Sequence, residues 1–165
     1  MNFARNMKNT VIGYPKKILT IEKITDSLEE YNVITTVSNE YEEKAVNTAI
    51  AYMQAFNDRD AFRCDDLLNF PHFRLGLESQ EVRITEKSSQ MSPKFFDWFV
   101  NEYGWNHSCW DYRDVIQSSS TKVHLAIQFS RYRLDGTKIG EFPSLWVITN
   151  QNGHWGIKIR SSFAP

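Results

Sequence analysis

Apolar and polar positions follow no sustained period before Asn39 and a clear one after it. From Asn39 to Asn57, Val46, Ala49, Ile50, Met53 and Phe56 recur at helical spacing, which predicts a helix with one buried stripe. A capping box, Asn39 with Glu42 three residues on, marks its start, and Glu40, Glu42 and Glu43 favour the positive end of the helix dipole. Asp60 caps a second, shorter helix through Leu67 and Leu68, ended by Pro71 because the residue before a proline is pushed out of the α region. Residues 71–75 and 81–85 predict two short strands. Ser92-Pro93 is an N-cap followed by the helical position that tolerates proline best, and Gly104 supplies the stop, so a third helix is predicted over Pro93–Tyr103. Phe95, Phe96, Trp98, Phe99, Val100 and Tyr103 make it apolar almost all round, and it is expected to be covered on most sides.

After Trp105 the period changes to two, in runs 107–117, 121–134, 139–150 and 154–163. Asp135-Gly136 and Asn152-Gly153 are hairpin signals between them, so the runs predict an antiparallel meander. The expected class is therefore α+β: three N-terminal helices packed on one face of a strongly curved antiparallel sheet, with the other face left for a partner subunit or solvent. Residues 1–38 are expected to form a partly mobile N-terminal extension, and 39–165 a single domain.

Composition narrows the function. The chain has 165 residues, and no apolar run approaches the ~18 residues of a membrane span, so no membrane partner is expected. Nineteen Lys+Arg against twenty Asp+Glu leave a net charge of −1, without the basic excess that nucleic-acid binding uses. The charge is uneven, since residues 121–165 hold Lys122, Arg131, Arg133, Lys138, Lys158 and Arg160 against Asp135 and Glu141. Cys64 and Cys109 lie far apart and the four histidines are scattered, so reduced thiols, no metal and no cofactor are expected. The first twenty residues lack the apolar core of a signal peptide and hold one arginine, so a cytoplasmic protein is expected and the Asn106-His107-Ser108 sequon carries no weight.

The order helix-helix-strand-strand-helix-meander, the segment 51–68 (AYMQAFNDRDAFRCDDLL) and the closing RYRLDG and GHWGIKIRSSF resemble the nuclear transport factor 2-like superfamily over residues 39–165. That superfamily includes ketosteroid isomerase, scytalone dehydratase, limonene epoxide hydrolase and polyketide cyclases. The resemblance implies a cone whose helices close a pocket on the concave sheet face, and commonly a homodimer through the opposite face. Against ketosteroid isomerase, Tyr52 stands eight residues before Asp60 and matches the oxyanion-donating tyrosine. The isomerase's base would fall at Gly76, with Glu78 the closest carboxylate, and its second acid at Leu145, so two of the three groups are missing.

Each candidate has a functional and a structural reading. Tyr52 could donate to a ligand oxygen or pack its ring in the core. His72, behind Phe70-Pro71, could work at a pocket mouth or fit a turn. Asp111 sits amid aromatics, where desolvation raises a carboxyl pKa, or it is a solvated strand residue or a partner for Arg113. Trp110 and Trp146 could stack on a ligand or belong to the core or an interface. Period-two alternation from Val123, Leu125, Ile127 and Phe129 puts Arg131 and Arg133 on the core face, where Arg131 needs a ligand or a helix carboxylate such as Asp58 or Asp65. On the last strand the isomerase register turns Lys158, Arg160 and Ser162 into the pocket, whereas hydrophobicity turns Trp155, Ile157 and Ile159 in.

The leading expectation is a homodimeric pocket protein for a small apolar or aromatic metabolite. Cofactor-free isomerisation, dehydration or hydrolysis would run through Tyr52, His72 and Asp111, with Trp110, Arg131, Leu145 and Arg160 binding the ligand. A non-catalytic binding or dimerisation module and a peptide-docking adaptor are the alternatives.

Overall fold

The computed structural model describes residues 33–77, 81–88 and 92–164. The extension up to residue 32 and Glu78 lie outside the described residues. Residues 33–38 belong to the packed structure, because Thr35 and Val37 are buried while Ile34 and Thr36 face outward.

Helix α1 spans Glu40–Asn57 and begins as its capping box requires, with the Asn39 side chain accepting from the N–H groups of Tyr41 and Glu42. Glu42 in turn accepts from the Ser38 N–H at 2.6 Å and from the Ser118 hydroxyl at 2.6 Å, which ties the helix start to the sheet. At its other end Asn57 exchanges two 2.9 Å hydrogen bonds with the backbone of Ser108. Helix α2 is Ala61–Asp66, capped by Asp60. It stops well before Pro71, and strand β1 already starts at Leu68. The proline therefore does not end the helix as expected. It lies inside β1 (Leu68–Leu75), after a cis peptide, where the pairing with the last strand is irregular between Leu68 and Phe73, a place that tolerates a missing N–H.

Strand β2 is Arg83–Thr85, and helix α3 is Pro93–Tyr103, with Ser92 as N-cap and Gly104 left-handed at φ 64° as C-cap. This helix buries one face only. Phe96 and Phe99 are buried, but Trp98 is 51% exposed, its ring edge-on to Tyr103. Covering on most sides is therefore not met, because the rings of α3 partly shield one another at an edge of the fold. The meander follows as β3 (His107–Ser118), β4 (Lys122–Tyr132), β5 (Lys138–Gln151) and β6 (His154–Ser162).

The six strands form one curved, open sheet in the order β2-β1-β6-β5-β4-β3, antiparallel except for β1 beside β6. Val123, Leu125, Ile127 and Phe129 of β4 meet Trp146 and Ile148 of β5 on the face that α1 covers. Gly156 is required at the β1–β6 seam, where a Cβ would come within 2.8–2.9 Å of the Asn69 side chain and 2.9 Å of the Leu68 backbone.

Two irregularities decide which side chains reach the core. In β3 the register shifts between Trp110 and Tyr112, so Trp110 and Arg113 face inward and Asp111 faces out, accepting from Ser130 on β4. In β6 the register shifts so that Val147 meets Ile159 and Ile148 meets Ile157, leaving Lys158 as the extra residue. Ile157 then points into the core and Ile159 outward, 40% exposed, while Arg160 and Ser162 face in beside Trp146 and Ser144. The two expected registers of the last strand each hold for half of it.

Candidate functional site

Beyond the packed layer lies a cavity of about 660 Å³ between α1, α3 and the inner sheet face. Tyr52, His72, Arg131 and Arg160 line it together. Phe95, Phe99, Phe129 and Trp146 supply apolar wall, and Arg74, Arg83 and Asp65 add charge.

The centre of the site is a short hydrogen-bonded chain. Arg160 donates through Nη1 to the Tyr52 hydroxyl at 2.8 Å and through Nε to His72 Nε2 at 3.2 Å. Since Nε2 accepts, the proton of the neutral imidazole sits on Nδ1, which donates to the Ile157 carbonyl at 3.0 Å. Burial, then the Arg160 charge, pushes the His72 pKa down to about 3. His72 is thus a neutral ring with both nitrogens engaged. Its task is to hold Arg160 in place, with no lone pair left to take a proton from a ligand.

Tyr52 is buried and its pKa is raised, by burial against the opposing Arg160 charge, so the hydroxyl keeps its proton. Its oxygen accepts from Arg160, and among the described residues no acceptor takes its O–H. Its side chain lines the cavity beside Arg160.

Arg131 is 6% exposed, with its guanidinium 4.7 Å from the ring centres of Phe99 and Phe142. Neither Asp58 nor Asp65 pairs with it: Asp58 lies beside Arg63, and among the described residues no carboxylate is within ion-pair distance of Arg131. Burial first, then Arg74, lowers its pKa to about 10, so it stays charged at neutral pH. Arg133 lies beyond the end of β4 and is exposed, its side chain over Gly104.

Three expected site residues are elsewhere. Asp111 faces the outer side of the sheet with Ser130 and Gln128. It is not Arg113's partner either, since Arg113 turns inward to the Val33 carbonyl and Thr35 hydroxyl. Leu145 is 42% exposed on the outer face, because strand alternation gives the cavity its neighbours Ser144 and Trp146. Trp110 is a core residue, edge-on to Trp146 at 5.7 Å and Phe129 at 6.3 Å, one layer behind the cavity wall. Gly76, where the isomerase base was expected to fall, lines the cavity and carries no carboxylate.

Arg74 and Arg83 were not anticipated. Arg74 stands two residues after His72 on one strand, so alternation from the histidine would have found it; Arg83 pairs directly opposite Arg74. Cys64 is buried outside the cavity lining, and burial pushes its thiol up to about 12, so it stays protonated. No group of metal-ligating side chains occurs among the described residues.

No protein-family model and no curated protein matches the sequence. Solved structures do match. A nuclear transport factor 2-like protein with a cystatin-like fold from Novosphingobium aromaticivorans superposes with a TM-score of 0.61 at 11% identity, over 76% of this chain and 82% of that one. A protein with a cystatin-like fold from Nostoc punctiforme gives 0.60 at 11% identity, over 75% and 90%. A ketosteroid isomerase-like protein from Erwinia carotovora atroseptica gives 0.54 at 14% identity, over 76% and 96%. The chain has the nuclear transport factor 2-like fold.

Proposed function

We propose that this protein binds a small metabolite in the cavity between its helices and sheet and holds it without chemistry. The observation that carries this reading is the state of His72. With Nδ1 donating to Ile157 and Nε2 accepting from Arg160, it lacks the free lone pair a general base needs. Asp111, the expected second proton-handling group, lies on the other sheet face. What remains around the cavity is Asp65 and a set of donors, Tyr52 and the arginines, against aromatic walls. Such a lining orients and retains a ligand.

A thermal-shift panel of small aromatic and aliphatic metabolites, followed by recovery of each binder, tests this. The expected result is stabilisation by some members, each recovered unchanged. Conversion of a binder would overturn the non-catalytic reading, and a panel without any stabilising member would overturn the pocket itself.

The reading includes a homodimer through the outer sheet face, in the cytoplasm. Tyr112, Leu145 and Ile159 are 37–42% exposed there, on strands whose register brings their rows side by side. Light scattering should give twice the chain mass for the native protein and the chain mass for Leu145→Lys. A native monomer would remove this element and leave the pocket.

A further inference from the structure

Donors without acceptors gather where the cavity adjoins a small recess. A recess of about 40 Å³ is shared by Tyr52, Arg131, Trp146 and Arg160. Arg131 Nε and Trp146 Nε1 are buried N–H groups with no hydrogen-bond partner, on side chains 6% and 3% exposed. Arg160, beside them, donates to the Tyr52 oxygen and to His72. Buried N–H groups without a partner are rare, because each forfeits its hydration. An ionised carboxylate would satisfy them without bringing a further donor, since it is acceptor-only.

The sheet register adds a second, independent observation. Arg83 of β2 pairs opposite Arg74 of β1, Arg74 opposite Arg160 of β6, and Arg160 opposite Trp146 of β5. Three arginines thus stand in one cross-strand row on adjacent strands, about 4.8 Å apart at the backbone. Like charges directly opposite destabilise a sheet. Asp65 is the single carboxylate among the described lining residues, against Arg74, Arg83, Arg131 and Arg160, in a chain whose net charge is −1. The row runs inward from exposed Arg83 to the recess, a path that would draw an anion in.

We infer that the ligand is an organic carboxylate with an aromatic body, its carboxylate in the recess between Arg131 and Arg160 and its ring against Phe95 and Phe99. This rests on the pocket reading above and assigns the ligand's class. The Tyr52 hydroxyl and the Trp146 N–H complete the carboxylate's partners, and the Phe99 ring then faces both the ligand and the Arg131 guanidinium.

The test titrates the full chain with 2-naphthoate, its neutral isostere 2-naphthamide and inorganic phosphate, by calorimetry and thermal shift. Naphthoate should bind and raise the melting temperature, at least ~10-fold tighter than the amide, the scale of charge-assisted hydrogen bonds. Arg131→Met should melt cooperatively at or above the wild-type temperature and lose the preference for the acid. Arg131→Gln is the second variant should the first not fold, and undiminished naphthoate affinity in either overturns the head-group assignment. Equal binding of acid and amide overturns the carboxylate and leaves the pocket. Phosphate matching naphthoate overturns the aromatic body. Absence of binding by all three, together with a silent metabolite panel, overturns inference and pocket alike.

Discussion

Arg113 and Arg131 are buried to 7% and 6% exposure on neighbouring strands, both over aromatic rings, both with pKa values lowered to about 10 chiefly by burial. Their surroundings differ. Arg113 donates to the Val33 carbonyl at 2.9 Å and the Thr35 hydroxyl at 3.3 Å, which fastens residues 33–37 across the inner face. Arg131 has rings on two sides and an unpartnered Nε at the cavity. A buried guanidinium costs several kcal/mol unless it is paired. At one end of the sheet face the fold itself supplies partners, and at the other it leaves the cation open to a ligand. Burial alone does not distinguish a structural arginine from a binding one; the fate of its N–H groups does.

The largest effect is expected for Arg113→Met, which leaves a buried carbonyl and hydroxyl without their donor; a loss of about 2–3 kcal/mol in urea unfolding is predicted. No loss would mean that the 33–37 strap contributes nothing, and the contrast would fail.

Acid should act on the opposite end. The folded pKa of His72 is depressed to about 3 from 6.5, so the unfolded chain binds a proton that the native state refuses. The stability from a neutral His72 is present above about pH 6.5 and falls as pH drops toward 3, by up to about 1.4 kcal/mol per pH unit. At pH 5 this amounts to about 2 kcal/mol. The dependence should be missing in His72→Gln, and hydrogen exchange should show β1 and β6 opening before the strap end does. An equal pH slope in the variant would assign the acid sensitivity elsewhere.

Tyr52→Phe is the smallest probe. It removes one hydrogen bond of the Arg160 chain and should weaken naphthoate binding by about 1 kcal/mol while leaving the fold intact. Unchanged affinity would place the hydroxyl outside the ligand's reach.

Much of the fold was legible because its boundaries are written in local chemistry. Asn39 with Glu42, Ser92-Pro93, Gly104 and Asn152-Gly153 act within a few residues, and helix α3 keeps its predicted bounds. Arg131 was found by alternation because β4 keeps its period as far as that residue. Asp111 was chosen for its aromatic neighbours along the chain, which fix no face; next to inward Trp110 it turns outward, and the irregularity after Trp110 brings Arg113 back inward. Leu145 came from the isomerase comparison, where a shift of one residue likewise reverses the face. The neutral state of His72 could not be read at all. It depends on Ile157 and Arg160, more than eighty positions away along the chain. The arginine row was equally hidden, since it exists only once β2, β1 and β6 lie side by side.

The most direct test is the sign of the stability change in the ligand-free protein when each buried arginine is replaced by methionine. Arg113→Met should destabilise, whereas Arg131→Met, replacing an unpaired buried charge by an apolar chain of similar length, should leave urea stability unchanged or raise it by about 1–2 kcal/mol. Opposite signs would support a cation held open for a ligand. A comparable loss in both variants would contradict it and make Arg131 another structural residue.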